Sequence, residues 1–268
     1  MKEPVYTLIT GASSGIGKSI AWYCGSLGMN LILVSLPNEG LSKVALDVAE
    51  KHKVKAVFLE IDLTKLDSPE AVFSWTQVNK LKINVLVNNA GLAGASVFEM
   101  SDIKYLDDRI LLNIRALVLL SRLYLPLLRA HDKSYILNVG SLAAFWPIPY
   151  KSLYSSSKAF VLYFSKSIRS ELKGTGVSVS VLCPNGVRTN GATHVRINSH
   201  GRMGRLTELS ADVVAKAGIN GMLKEKFVII PGRINSFVLL FGRILPMAVQ
   251  QRFLVREFGK EINATYTK

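Results

Sequence analysis

The chain has 268 residues, 49% hydrophobic and 19% charged, with 20 glycines, a mix that supplies a sizeable core and excludes a disordered or low-complexity protein. Thirty-three basic against nineteen acidic residues give a formal charge of +14, which suits an anionic partner. The basic residues are spread, with no run interleaved with aromatics, so no nucleic-acid binding is expected; a phosphorylated cofactor, an acidic substrate or a membrane surface is the better use of the excess.

The opening MKEPVYTLIT has no basic region followed by a long apolar stretch, so no secretion signal is expected. Strand-like runs follow from Val5 to Thr10, Leu31 to Ser35, Val54 to Ile61, Ile83 to Val87, Tyr135 to Val139, Val177 to Cys183 and Phe227 to Ile230. Each is continuous in Val, Ile and Leu rather than alternating, as strands covered on both faces are. The expected fold class is α/β: a doubly wound parallel sheet of about seven strands with helices on both faces, plus a C-terminal helical tail. Residues 1–232 are expected to form one domain, and residues 233–268 an extension packed on it, at an interface or at a membrane surface. Cys24 and Cys183 fall in a helix and a buried strand and read as small core hydrophobes, in keeping with a reducing cytoplasm.

Ser68-Pro69-Glu70 predicts a helix start, with serine as N-cap, proline at the first helical position and an acid against the positive dipole end. The segment Ile110 to Leu128 is apolar almost all round, so burial beyond its sheet-facing side is expected, most economically at a subunit interface. Gly174 and Gly176 are placed to stop the helix that follows Tyr154.

The first strand ends in Thr10-Gly-Ala-Ser-Ser-Gly-Ile-Gly17 and a helix pattern begins at once, an arrangement in which glycines let backbone amides approach a pyrophosphate. A glycine turn that only packs helix on strand is the plainer alternative. The fourth strand ends in Asn88-Asn-Ala-Gly91, which puts polar groups where open α/β sheets take ligands, or simply makes a turn. Ser141 follows the fifth strand, Tyr154 lies thirteen residues on, and Lys158 four beyond that. Residues i and i+4 share a helix face, and a cation beside a phenol of ordinary pKa about 10 favours its phenolate, which makes proton transfer effective near neutral pH. Tyr150 has Tyr154, not lysine, at that spacing. A lone Tyr-x3-Lys pair in so basic a chain can also be a solvated helix face.

Taken together along residues 4 to 232, these motifs resemble the short-chain dehydrogenase/reductase family, whose DltE-like or acyl-reducing members include similar tails. The resemblance implies hydride transfer between a nicotinamide and a carbonyl or secondary alcohol carbon, without metal. It implies that Tyr154 is the acid-base, that Lys158 lowers its pKa and holds the nicotinamide ribose, and that Ser141 orients the substrate oxygen. Asn113, in LLNIRA, would support a water that relays protons. The cofactor would be held by Gly11, Ser13, Ser14, Gly15, Ile16 and Gly17, by Ser35, Asp62 and Leu63, by Asn89, Ala90 and Gly91, by Tyr154 and Lys158, and by Pro184, Val187 and Thr189. A homodimer or homotetramer is expected.

Two departures from the family pattern bear on this reading. Pro184-Asn-Gly-Val-Arg-Thr189 has asparagine in a glycine place, and because asparagine tolerates left-handed backbone angles the turn is expected to survive. The second strand ends with neither an acid at Ser35 nor an arginine at Leu36; without the acid there is no repulsion of a 2′-phosphate, which favours NADP(H) and leaves NAD(H) open. Asn190 to Leu206, with His194, Arg196, His200, Arg202 and Arg205, is expected to read the substrate, lipophilic or acyl, or to be a solvated loop. The histidines and cysteines show no metal-ligand spacing. The tail after Pro231 is apolar but interrupted, short of the ~18 apolar residues of a spanning helix, so it covers the pocket, meets a partner subunit or makes peripheral membrane contact. Two other readings stand beside the enzyme: a non-catalytic dinucleotide-binding regulator of the same fold, and a membrane-surface protein using the C-terminal helix.

Overall fold

The structure is a computed structural model and describes residues 4–188 and 207–266. Its strands are β1 (Val5–Thr10), β2 (Asn30–Ser35), β3 (Ala56–Glu60), β4 (Lys82–Asn88), β5 (Ser134–Val139), β6 (Val177–Leu182), β7 (Val187–Arg188), β8 (Leu209–Ser210) and β9 (Val228–Ile229). Seven of them form one parallel sheet in the order β3-β2-β1-β4-β5-β6-β9, and β7 pairs with β8 outside it. The order reverses between β1 and β4, the point where open α/β sheets leave a crevice.

Continuous apolar strands follow from the two covered faces. Successive side chains point to opposite sides, so Ile9, Leu31 and Leu33 meet helices α1 (Gly15–Ser26) and α2 (Leu41–His52) in one core. Leu8, Ile32 and Val34 meet α3 (Ser68–Val78) and the helical rod beyond it in the other. That rod runs through α4 (Ile103–Ile110), a π-helical turn over Leu111–Ala116 and α5 (Leu117–Arg129). Asp102 starts it by accepting from the Lys104 and Tyr105 amides. After it come α6 (Ser152–Glu171), α7 (Ala211–Leu223), α8 (Arg233–Ile244) and α9 (Met247–Tyr266).

Three local expectations need correction or narrowing. Asp67, not Ser68, occupies the N-cap of α3 and makes no side-chain cap bond; the Ser68 hydroxyl donates to Lys65 O at 2.7 Å, closing the turn before the helix. The rod is not buried all round in the single chain: Asn113, Ala116, Leu120, Tyr124 and Leu128 are buried while Ile110 is 43% exposed. By length and composition the rod could cross a membrane, but its inner face is committed to the sheet. Asn185 is absent from the residues with positive φ, so its turn does not use the left-handed tolerance expected of it. Gly174, at φ +86, does follow the end of α6 as expected. Both cysteines are free and buried.

Candidate functional site

A cleft of about 580 Å³ opens along the carboxyl ends of β1, β2, β4, β5 and β6. The turn after β1 forms its floor. Ser14, the N-cap of α1, makes no side-chain cap bond, which leaves the first amides of α1 to face the cleft. Gly11 sits at φ +65, and a Cβ there would come within 2.9 Å of the Ala90 Cα; on Gly17 it would come within 2.0 Å of Gly11 O. No larger residue fits either position.

The turn is stitched to the end of β4. Thr10 Oγ1 accepts from the Asn89 and Ala90 amides at 3.0 Å each. Asn89 Nδ2 donates to Thr10 O and Gly11 O at 2.9 and 3.1 Å. Asn89 thus lines the cleft with an amide already spent on the turn. Asn88 points away, donating to Ser121 Oγ and Asn138 Oδ1 in a buried network.

Of the residues expected to hold a cofactor, Gly11, Ser13, Ser14, Gly15, Ile16, Ser35, Asp62, Leu63, Asn89, Ala90, Gly91, Tyr154, Lys158, Pro184 and Val187 all line the cleft. Gly17 does not; it lies beneath the turn and permits its closeness. Thr189 and the basic segment 190–206 lie outside the described residues. Asp62 is partly turned into its own loop, accepting from the Thr64 amide and hydroxyl at 2.9 and 2.7 Å.

At the inner end stand Ser141, Tyr154 and Lys158, all three on the cleft wall. Lys158 is 6% exposed, and its Nζ donates to Val139 O at 2.9 Å and lies 5.9 Å from the centre of the Tyr154 ring. Burial lowers the Lys158 pKa to about 8, partly offset by Cys183. Burial pushes the Cys183 thiol up to about 12, which makes it an inert core group. Ser141 begins the short 3₁₀ turn Leu142–Phe145; its Oγ accepts from the Ala143 amide at 3.1 Å and its hydroxyl donates to Pro184 O at 3.5 Å.

Asn113 sits in the π-helical turn, behind the wall that its neighbour Leu112 lines. Its Oδ1 accepts from the Leu92 amide at 2.8 Å, and its Nδ2 donates to Leu92 O and Ser157 Oγ at 2.9 and 3.3 Å. A Cβ on Gly91 would lie 3.2 Å from Asn113 Oδ1 and 3.5 Å from Lys158 Nζ. The rod, the end of β4 and α6 therefore converge on one point.

Sequence reasoning missed several groups. Glu39, Thr64, Leu92 and Asn185 also line the cleft. Glu39 lies four residues beyond Ser35, past the end of β2, where an acid would meet the ribose. Asn185 Nδ2 donates to Asn235 Oδ1 at 3.2 Å, a link from the cleft wall to α8 that no local pattern encodes. Tyr150 holds φ +63, left-handed for a bulky residue, with its carbonyl accepting from the Ser96 amide at 2.8 Å. With Tyr154, Gly94, Tyr105 and Arg109 it lines a second, small recess beside the cleft. Among the described residues no metal-binding cluster occurs.

A parallel sheet with a glycine turn at its switch point and a long cleft at its strand ends defines a dinucleotide-binding α/β protein of the Rossmann type. The chain belongs to the short chain dehydrogenase family, whose profile matches residues 6–199, a family of oxidoreductases that work on carbonyl and alcohol groups. It is 34% identical over 188 residues to a very-long-chain 3-oxoacyl-CoA reductase of Bos taurus; the match covers 69% of this chain and 60% of that protein. A short-chain dehydrogenase from Sphingobium yanoikuyae, solved with NADPH, is similar at 28% identity and TM-score 0.76, covering 89% of this chain and 93% of that one. A solved 7β-hydroxysteroid dehydrogenase shares the fold at TM-score 0.84 and 21% identity, over 93% and 96% of the two chains. The NAD(P) site asks for a glycine cradle and free helix amides, and the residues present fit it.

Proposed function

We propose that the chain is an NADP(H)-dependent reductase of lipophilic acyl carbonyls, of the 3-oxoacyl thioester class. The observation that carries this reading is Lys158, buried at the inner end of the cleft on the same helix face as Tyr154. The nicotinamide, when bound, supplies the hydride. Tyr154 gives its phenolic proton to the oxygen of the reduced carbonyl, and Ser141 holds that oxygen in place. The Lys158 ammonium favours the tyrosinate left behind. The side-chain amide of Asn113 is spent on Leu92 and Ser157, so a relay water would be held by its backbone carbonyl, in the π-helical turn where i→i+4 bonding is broken. NADP(H) is preferred to NAD(H) because Ser35 brings no charge to the end of β2; Glu39 opposes this only weakly, since it is exposed and solvated. The acyl class is supported by the reductase relative. The free cysteines support a cytoplasmic setting, and the partly exposed outer face of the rod supports a homo-oligomer formed there.

The test is oxidation of NADPH and NADH over ketones, aldehydes and 3-oxoacyl thioesters of increasing length, with Tyr154→Phe beside the wild type. Turnover should favour NADPH and the thioesters, and Tyr154→Phe should lose 10²- to 10⁴-fold in kcat, the usual worth of a general acid, while binding nucleotide as before. Nucleotide binding without turnover of any substrate would make the chain a regulator of the same fold instead.

A further inference from the structure

From Phe227 to Arg256 the chain contains no acidic residue and four arginines, Arg233, Arg243, Arg252 and Arg256. Within this stretch α8 has two differently employed sides. The inner side is fixed to the body: Asn235 and Leu239 are buried, and a Cβ on Gly242 would come within 2.6 Å of the Trp146 ring. The outer side carries Ile234, Phe237, Leu240, Phe241 and Ile244, each at least 50% exposed. Their spacing of one, three and four residues places them on a single stripe. Leu245 and Met247 extend it through the turn, and α9 adds exposed Phe253 beside exposed Arg252 and Arg256.

Single exposed apolar residues need no explanation, but a contiguous stripe of aromatic and aliphatic ones does. The 12 residues of α8 rise about 18 Å, against about 30 Å of bilayer hydrocarbon, so α8 can lie in an interface and cannot span one. A second copy of the chain is a poor occupant. Across a two-fold axis the same acid-free, arginine-bearing stretch would face itself. An anionic bilayer surface supplies both missing complements, hydrocarbon for the stripe and negative headgroups for the arginines, and the formal charge of +14 draws the chain toward it.

We propose that α8 and the first part of α9, from Met247 to Arg256 and short of Glu257 and Glu261, form a platform that seats the protein on an anionic lipid bilayer, beside the way into the cleft. Gln251 Nε2 donates to Pro147 O at 2.9 Å, and Lys151 Nζ lies 4.6 Å from the Phe258 ring centre. The platform is thus built against the segment Trp146 to Lys151, which leads directly into α6 and Tyr154. A lipophilic acyl substrate reaches Tyr154 from the lipid side without crossing bulk water. This delivery step rests on the acyl-reductase reading; the seating on lipid does not.

The test uses the full chain with vesicles of phosphatidylcholine alone and of phosphatidylcholine with phosphatidylserine. The wild type should sediment with the anionic vesicles and much less with the neutral ones. Phe237→Glu with Phe241→Glu should abolish sedimentation while keeping the wild-type melting temperature. Arg252→Gln with Arg256→Gln should weaken the partition on the order of thirtyfold, from about 1 kcal/mol per basic residue at such a surface. Failure of the wild type to bind, or unchanged binding in the Phe237→Glu/Phe241→Glu protein, overturns the proposal. So does light scattering in which that variant turns a dimer into a monomer with no lipid binding by the wild type. Turnover of a soluble short-chain 3-oxoacyl thioester is read separately; its absence rejects the acyl reading and leaves the lipid seating standing.

Discussion

Lys158 serves the cleft at a cost to the fold. With its pKa at about 8 in the folded chain and 10.5 as its ordinary value, the unfolded chain binds the extra proton between those limits. Stability contributed by this group is therefore lowest below pH 8 and rises as pH climbs toward 10.5. At pH 7 burying the charged form costs on the order of 3 kcal/mol. The stability gap between wild type and Lys158→Met should move in the wild type's favour by up to about 3 kcal/mol from pH 7 to pH 10, measured by denaturant unfolding at both. A gap that does not change with pH would mean that the buried amine keeps its proton across this range, with a pKa close to its ordinary value. On the proposed mechanism, the same titration predicts a basic limb near pH 8 in kcat/KM for NADPH, because the cation proposed to favour the Tyr154 phenolate is lost there. At the β2 end, Glu39→Gln should lower KM for NADPH a few-fold and leave KM for NADH unchanged; equal effects on both would remove Glu39 from the phosphate corner.

Among the elements, the glycine turn and the end of β4 act as one unit. Gly17→Ala would drive a methyl into Gly11 O and the Asn89 amide, and neither neighbour is a flexible chain end. Overpacking of that kind costs about 1–3 kcal/mol and displaces the amides that face the cleft. Fluorescence titration should show NADPH binding largely lost in a protein that still folds; unaltered affinity would separate the turn from the nucleotide. Asn235 offers the complementary case on the far wall. Its Nδ2 donates to Thr207 O and Pro231 O at 3.2 and 3.0 Å, and its Oδ1 accepts from Asn185. Asn235→Leu removes all three bonds, so a loss of about 1–3 kcal/mol in stability is expected, together with a raised KM for the cofactor and a kcat close to wild type. The glycine motif and the Tyr-x3-Lys spacing were legible because each is read within one turn or one helix. The Thr10–Asn89 stitch and the Asn185–Asn235 link were not, since their partners lie 79 and 50 residues apart.

At the scale of the whole molecule, the rod and the α8–α9 pair both leave apolar side chains exposed among the described residues. The rod presents Ile110 outward while Leu120, Tyr124 and Leu128 are buried against the sheet and α3. If a second subunit covers that outer face, Ile110→Glu should shift the assembly toward monomer in light scattering at micromolar concentration, with its melting temperature reduced. The α8–α9 surface is distinct in charge and place, and the vesicle experiment addresses it independently.

By itself, the sequence determined the parallel α/β sheet, because continuous apolar strands separated by amphipathic helices have few other ways to bury both faces. It also placed the glycine turn after β1 and the Ser141, Tyr154 and Lys158 set, which the fold brings to the wall of one cleft. Only the tertiary structure decided that Asn113 faces Leu92 rather than the cleft, and that Asn185 is held by α8 instead of by a left-handed turn. It also decided that Tyr150, at φ +63, turns the chain into α6. Each of those outcomes depends on which distant backbone group stands within hydrogen-bond reach once the sheet has formed, and local spacing carries no record of that.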